Sequence, residues 1–218
     1  MSSVSDQTKK WMSAFGREYT KRNTFSTAQL DALWKERYGI SRSALNHAFL
    51  SGIDPSIRIL EVGSNVGQQL LVLREMGFEK LYGVELQLHA ARLAKTRTKN
   101  IEVVQGTVFR IPYADQSFDL VFTSGLLIHI NPSEIVAALR EIYRCSLHYI
   151  WGFEYFAERY TDVNYRGYTN LLWKTNFASL YLSLFKDLEL VKETRLTNLG
   201  NPQNLDSMFM LKKSEEER

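Results

Sequence analysis

The stretch Ile57-Arg58-Ile59-Leu60-Glu61-Val62-Gly63-Ser64-Asn65-Val66-Gly67-Gln68-Gln69-Leu70-Leu71 decides the fold. An apolar, β-branched run ends at an acidic residue, a glycine-punctuated turn follows, and Leu70, Leu71, Val72 and Leu73 open a helical pattern. That order is strand, tight loop and helix, a unit that aims backbone N–H groups at a ligand beside the carboxyl edge of a parallel sheet. Outward from it, strands and helices alternate. Strands are expected at 57–62, 81–85, 101–105, 118–123 and 147–153, and helices at 67–76, 88–97, 132–144 and 175–185. Asn131 is the expected N-cap of the 132–144 helix, with Pro132 at its first position. The last two strands, 188–196 and 207–212, have no helix between them and should form a hairpin that adds one antiparallel strand. Upstream, residues 5–50 read as helical, with Trp11, Phe15 and Tyr19 at i, i+4 spacing and further helices at 28–38 and 43–50. The expected class is therefore α/β, with a mostly parallel sheet and an N-terminal helical layer.

Composition sets the outer bounds. The 218 residues suffice for one α/β domain with a full core. Lys and Arg number 27 against 24 Asp and Glu, a balance too even to argue for nucleic acid. The single cysteine, Cys145, allows no intramolecular disulfide and sits at the end of an amphipathic helix as a buried thiol. No Cys/His spacing suggests zinc, so no metal is expected. Residues 1–10 are polar and no apolar run approaches a membrane span, so a soluble, cytoplasmic protein without a membrane partner is expected. The tail at 212–218 is expected to fray.

The glycine loop departs from a dinucleotide fingerprint. G-x-G-x-x-G is replaced by Glu61-x-Gly63-x-Asn65-x-Gly67. A carboxylate at the strand end would repel a pyrophosphate and suits a ligand with positive charge, hydroxyls or amines. S-adenosylmethionine, with sulfonium, ammonium and ribose, meets that description. Asn65 tolerates left-handed dihedrals and can replace a middle glycine. About 20 residues on, Leu81-Tyr82-Gly83-Val84-Glu85 ends a strand on a carboxylate placed to accept ribose hydroxyls.

Two further segments follow in order: Gln105-Gly106-Thr107 running to Ser117-Phe118-Asp119-Leu120-Val121, and Ser124-Gly125-Leu126-Leu127-Ile128-His129-Ile130-Asn131-Pro132. With E-x-G-x-N-x-G and G-V-E, this set resembles class I S-adenosylmethionine-dependent methyltransferases across residues 57–153. The resemblance implies a Rossmann-like, seven-stranded sheet with one antiparallel strand and helices on both faces. It also implies a helical cap at 1–50, a core at 51–218 and a substrate lid near 154–176. More narrowly, Phe15-Gly16-Arg17-Glu18-Tyr19, Leu33-Trp34-Lys35, Gly152-Phe153-Glu154-Tyr155, Tyr165-Arg166-Gly167 and Trp173-Lys174 resemble methylases associated with pseudaminic acid and other surface-polysaccharide biosynthesis. The implied site has Glu61, Gly63, Ser64, Asn65 and Gly67 around the methionine part. Glu85 lies on the ribose, Leu86 on the adenine, and Thr107 and Val108 at the adenine amine and ring nitrogen. Ser124 and His129 lie beside the methionine amine and the reacting methyl. The usual residue at 107 is Asp; Thr107 offers a weaker, neutral acceptor. Tyr19 and Arg42, ahead of the glycine loop, are candidates to close over the cofactor's carboxylate.

The acceptor is less legible. Methyl transfer from a sulfonium needs alignment, and a base only where the nucleophile arrives protonated. His129 is a candidate base, or it simply packs near the 131–132 helix start. Glu154 is a candidate base or sugar-hydroxyl partner. Tyr155, Tyr165, Arg166, Trp173 and Lys174 are candidate substrate residues, the cations for a carboxylate or phosphate and the rings for stacking or core. No D-P-P-Y or N-P-P-Y follows the fourth strand, no cysteine sits in a pocket motif, and no acidic cluster resembles a magnesium site. The expected function is methyl transfer from S-adenosylmethionine, yielding S-adenosylhomocysteine, to O or N of a small molecule such as a sugar or nucleotide-sugar intermediate, by a monomer or homodimer. The alternatives are a carboxylate or natural-product O-methyltransferase, or a catalytically inactive binding partner of the same fold.

Overall fold

Four helices precede the first strand: α1 (Asp6–Met12), α2 (Ala14–Arg22), α3 (Thr27–Tyr38) and α4 (Arg42–Leu50). Each starts on a serine whose hydroxyl accepts from a backbone N–H of the first turn, namely Ser5, Ser13, Ser26 and Ser41. Ser13 also ends α1, so the helical run across 5–50 breaks there at a single residue. Ser26 and Gln29 form a reciprocal capping box, and Gly39 ends α3 at φ 74°. The structure, a computed structural model, describes residues 5–214.

The alternating part follows as β1 (Arg58–Val62), α5 (Gln68–Glu75), β2 (Lys80–Glu85), α6 (Leu88–Arg97), β3 (Glu102–Gln105) and β4 (Phe118–Ser124). A 3₁₀ turn, Leu127–His129, leads to α7 (Ile135–Cys145) and β5 (Ser146–Phe156). A small pair, β6 (Thr161–Asp162) and β7 (Trp173–Lys174), precedes α8 (Phe177–Leu184), β8 (Leu188–Thr197) and β9 (Leu205–Lys213). The main sheet has seven strands in the order β3-β2-β1-β4-β5-β9-β8. All neighbours from β3 to β5 are parallel; β9 runs antiparallel to both β5 and β8. This is the Rossmann-like arrangement with one antiparallel strand. The chain leaves β1 towards β3 and returns to β4 on the other side. The switch point opens a crevice at the carboxyl ends of β1 and β4.

Each sheet face is covered. Leu60, Val62, Val121, Ile150 and Phe209 pack with α7 and α8 through Leu139, Ile142, Phe177 and Tyr181. Ile59, Leu120, Phe122, Trp151 and Met210 pack with α3 to α6 through Leu30, Leu50, Leu70 and Ala94. Side chains alternate along β1, so Glu61 shares a face with Ile59 and points to the side covered by the N-terminal helices.

Three local expectations are corrected. The helix expected at 132–144 begins at Ile135 with Glu134 as N-cap. Asn131 instead turns its side-chain oxygen onto Ser133, accepting from the backbone N–H at 2.9 Å and the hydroxyl at 2.8 Å, a local turn that competes with helix initiation. The fifth strand runs on past 153 to Phe156, because β9 pairs with it as far as Phe156↔Leu205 and so holds Glu154 and Tyr155 in the sheet. Lys212 and Lys213 belong to β9, and Ser214 donates its N–H to the Asp187 carbonyl at 2.7 Å, so the fraying expected at 212–218 does not start there; 215–218 lie outside the described residues. Among the described residues no helix is long and apolar enough to cross a membrane.

Candidate functional site

The loop from Val62 to Gln68 is shaped by three left-handed residues in alternation: Gly63 (φ 77°), Asn65 (φ 47°) and Gly67 (φ 72°). Asparagine is among the few non-glycine residues that adopt this region readily, which is why it can stand at the middle position. The loop folds back onto the end of β2. Gly63 and Ser64 donate their N–H groups to the Val84 carbonyl at 2.8 and 3.1 Å, and Asn65 donates its own to the Glu85 carboxylate at 2.9 Å. The other Glu85 oxygen accepts from Gln87 N–H at 2.8 Å. Burial raises the Glu85 carboxyl above its ordinary range, and these N–H groups pull it back. The Asn65 side-chain oxygen accepts from the Thr20 hydroxyl at 2.9 Å, tying the loop to α2.

Above this loop lies a cavity of about 290 Å³. Glu61, Gly63, Ser64 and Asn65 line it from β1 and its loop, Glu85 and Leu86 from β2, Thr107 and Val108 from the β3 exit, and Ser124 and His129 from the β4 exit. Tyr19 closes it from α2. Most residues expected at a cofactor are thus on one wall. Two are not. Gly67 faces away, and a Cβ there would lie 2.7 Å from the Thr98 methyl. Its role in the fold is helix packing and a left-handed N-cap.

Arg42 is also not on the cavity surface. It is fully buried, with its guanidinium 4.6 Å from the Trp34 ring and 5.0 Å from Phe153. It donates to Asn46 at 2.8 Å and to the Ser124 hydroxyl at 3.2 Å, so it reaches the cavity only through Ser124. Glu61 is 3 % exposed; burial pushes its carboxyl well above the usual range, with the Arg42 charge opposing.

His129 is buried beneath α1 and α2. Its ring lies 4.4 Å from Trp11 and 5.5 Å from Tyr165, and its carbonyl accepts from the Gln7 side chain. Nδ1 is 3.1 Å from the Leu171 carbonyl. A carbonyl only accepts, so Nδ1 carries the proton and Nε2 keeps its lone pair. Burial pushes the imidazole down to about 4, which leaves it neutral at ordinary pH.

Glu154 does not line the cavity. It is 1 % exposed and accepts from the Leu126 and Ile128 N–H groups at 3.1 and 3.3 Å, holding the loop that carries Ser124 to His129. Burial raises its carboxyl to about 7 against the pull of the Thr123 hydroxyl and the N–H groups of 126–128. Between about pH 4.3, the unfolded value, and pH 7 the folded chain keeps a proton that the unfolded chain has lost. This contribution to stability therefore falls as pH rises through that window. Urea unfolding is expected to give a stability about 2 kcal/mol lower at pH 8 than at pH 5.5 from this group. Glu154→Gln should remove this fall, leaving the falls from Glu61, Glu85 and Asp206, which burial also raises, and the opposing rise from His129, which burial lowers. An unchanged slope in the variant would refute the assignment.

The five expected substrate residues also lie off the cavity wall. Trp173 is 5 % exposed in the small β6–β7 pair, and the Lys174 ammonium donates to the Asn204 side chain. Arg166 is exposed at φ 55°, and Tyr155 sits under the Lys174 ammonium, 5.7 Å from its ring. Tyr165 meets the site wall through His129 and packs at 6.1 Å on Phe15, which does not line the cavity. Missed instead was one face of α3: Leu30, Leu33, Trp34 and Arg37 all line the cavity. Their i, i+3, i+4, i+7 spacing was visible in the sequence, but helical spacing alone does not distinguish a core face from a site wall. Trp11, whose sequence signal is only its i, i+4 spacing with Phe15, roofs the site.

Comparison with known proteins bears on this geometry. Residues 60–147, from inside β1 to the start of β5, match the family described as "Methyltransferase domain". This stretch is similar to methyltransferase domains. An uncharacterized methyltransferase of Staphylococcus carnosus is 34% identical over 83 residues, 38% of this chain and 39% of that protein. The chain spans 36–39% of the length of the curated relatives it matches. Among solved structures, the Burkholderia thailandensis 1,6-didemethyltoxoflavin-N1-methyltransferase, with bound 1,6-didemethyltoxoflavin and S-adenosylhomocysteine, has TM-score 0.66 at 15% identity, covering 99% of this chain and 93% of its own. The [4+2]-cyclase SpnF has TM-score 0.63 at 14% identity over 81% of this chain and 82% of its own. The chain thus shares its fold with proteins of differing chemistry, and function must be argued from the site.

Proposed function

We propose that the chain is an S-adenosylmethionine-dependent methyltransferase acting on O or N of a small molecule. The observation that carries this reading is the pair of carboxylates on the cavity wall. Glu61 lies near the end of β1 and Glu85 ends the neighbouring β2, with Ser64, Asn65, Gln69 and Gln87 lining the cavity beside them. An ammonium and ribose hydroxyls are the donors that such a wall suits. Glu85, anchored by the N–H groups of Asn65 and Gln87, keeps acceptor capacity for the ribose. Leu86 and Val108 offer apolar contact to an adenine. The residues fit the group.

The bound sulfonium supplies an already activated methyl group. The remaining work falls to the chain's own residues. The roof of Trp11 and Tyr19 excludes water. Ser124, held by Arg42, and Glu61 orient the methionine end. An attacking hydroxyl becomes strongly acidic as its oxygen bonds to carbon, so His129 Nε2, neutral and weakly basic, suffices to accept the departing proton late in the reaction. In this reading the N-terminal helical layer up to residue 50 acts as a cap on the α/β core from 51 on, and the segment near 154–176 backs the site through Tyr165 against His129. The solved N1-methyltransferase of the same fold supports a small-molecule acceptor. A sugar or nucleotide-sugar acceptor rests on the sequence resemblance alone.

Calorimetric titration with S-adenosylhomocysteine tests the reading; absence of both heat and thermal stabilisation would refute it. His129→Ala is expected to lower kcat about 100-fold with cofactor affinity kept within about threefold. An unchanged kcat would remove His129 from the chemistry.

A further inference from the structure

Beyond the cofactor wall, the cavity continues to a surface built by α3 and β5. Leu30, Leu33, Trp34 and Arg37 present one face of α3 to it, and Phe153 meets them from β5, its ring 4.6 Å from that of Trp34. Leu30, Trp34 and Phe153 are buried, while Arg37 is exposed. The wall is therefore apolar and aromatic, with a single guanidinium at its solvent end.

Charge at that end is positive. Among the described residues Arg37 forms no ion pair. Its surroundings are the Tyr38 ring at 6.0 Å and the charge of Asp206. Asp206 is 1 % exposed, accepts from the Tyr38 hydroxyl at 2.8 Å through Oδ2 and keeps Oδ1 without a hydrogen-bond partner among the described residues. The mouth thus carries one exposed cation, Arg37, beside one buried carboxyl.

We propose that the methyl acceptor is a compact planar molecule with one anionic group, its ring against Trp34 and Phe153 and its anion at Arg37; this rests on the methyltransferase reading above. Polarity agrees. A sugar's hydroxyls find no partners on Leu30, Leu33 or Phe153, and each would be desolvated without return. A flat ring gains stacking and burial there, and a carboxylate gains a forked partner with fixed geometry.

The test uses the full chain saturated with S-adenosylhomocysteine and measures binding of 4-hydroxybenzoate and 6-hydroxy-2-naphthoate. Their neutral isosteres, the corresponding amides, and UDP-glucose complete the set. At least one acid is expected to bind at least tenfold more tightly than its amide and than UDP-glucose. In Arg37→Ala the acid and amide should converge. Arg37 is exposed, so the substitution is compatible with the fold. Acids no better than amides, no convergence in the variant, or preference for UDP-glucose would overturn the proposal. The S-adenosylhomocysteine titration reports separately on the donor site, so a failed acceptor assignment is distinguishable from a failed methyltransferase reading.

Discussion

Replacing Glu85 by alanine is expected to weaken S-adenosylhomocysteine binding about 100-fold. The carboxylate does two things at once. It accepts from Asn65 and Gln87 N–H groups, fixing the glycine loop against the end of β2, and it presents its remaining lone pairs to the cavity. Hydrogen bonds to a charged group are each worth roughly 1.5–3 kcal/mol, and losing about 3 kcal/mol in total corresponds to about two orders of magnitude in affinity. Glu85→Gln keeps shape and one acceptor, so its loss should be smaller. Calorimetry reads the affinity and a thermal melt checks the fold. A loss under fivefold in a folded variant would show that Glu85 is structural only.

Arg42→Ala should be the most destabilising single change in the N-terminal layer. The side chain is fully buried between Trp34, Trp151 and Phe153, and its charge is the one that opposes protonation of Glu61. Its removal leaves a void among three aromatic rings and strips Asn46 and Ser124 of a donor. Voids and unpaired buried groups of this kind cost about 3–5 kcal/mol, or a fall in Tm of roughly 10 °C for a chain of this length. Arg42→Met separates the two causes. It restores much of the volume without the charge, so recovery of most of the stability assigns the loss to packing. If both variants fall equally, the guanidinium itself is required. An unchanged Tm in Arg42→Ala would contradict the packing described.

The parts of this molecule that were legible in the sequence are those encoded locally. A β-branched run ending in Glu61, alternating left-handed positions at 63, 65 and 67, and a second carboxylate at 85 are each consequences of neighbouring residues. They placed the crevice correctly. The terminal hairpin was legible for the same reason, since two strands without an intervening helix have one simple pairing. Docking between distant segments was not legible. Nothing near Glu154 in the chain reveals that its carboxylate would turn into the 126–128 loop rather than into the cavity. Nothing near Leu33 or Arg37 reveals that α3 would face a ligand rather than core. The segment around 165–174 carries cations and rings that suit a substrate, but chain direction beyond Phe156 carries Arg166 to solvent and Lys174 to Asn204.

The bond from the Thr20 hydroxyl to the Asn65 side chain has an evolutionary consequence. A glycine at 65 would leave the loop indifferent to what lies above it. An asparagine there makes the loop and the second helix co-inherited parts. Gly16 adds a constraint within that layer, because a Cβ there would lie 1.9 Å from the Trp11 carbonyl oxygen, with the flexible Gln87 side chain next at 2.7 Å. Chimeras that graft another N-terminal layer onto this core, to change which acceptor is taken, must therefore carry a matched residue at 65 or lose the donor site along with the old specificity.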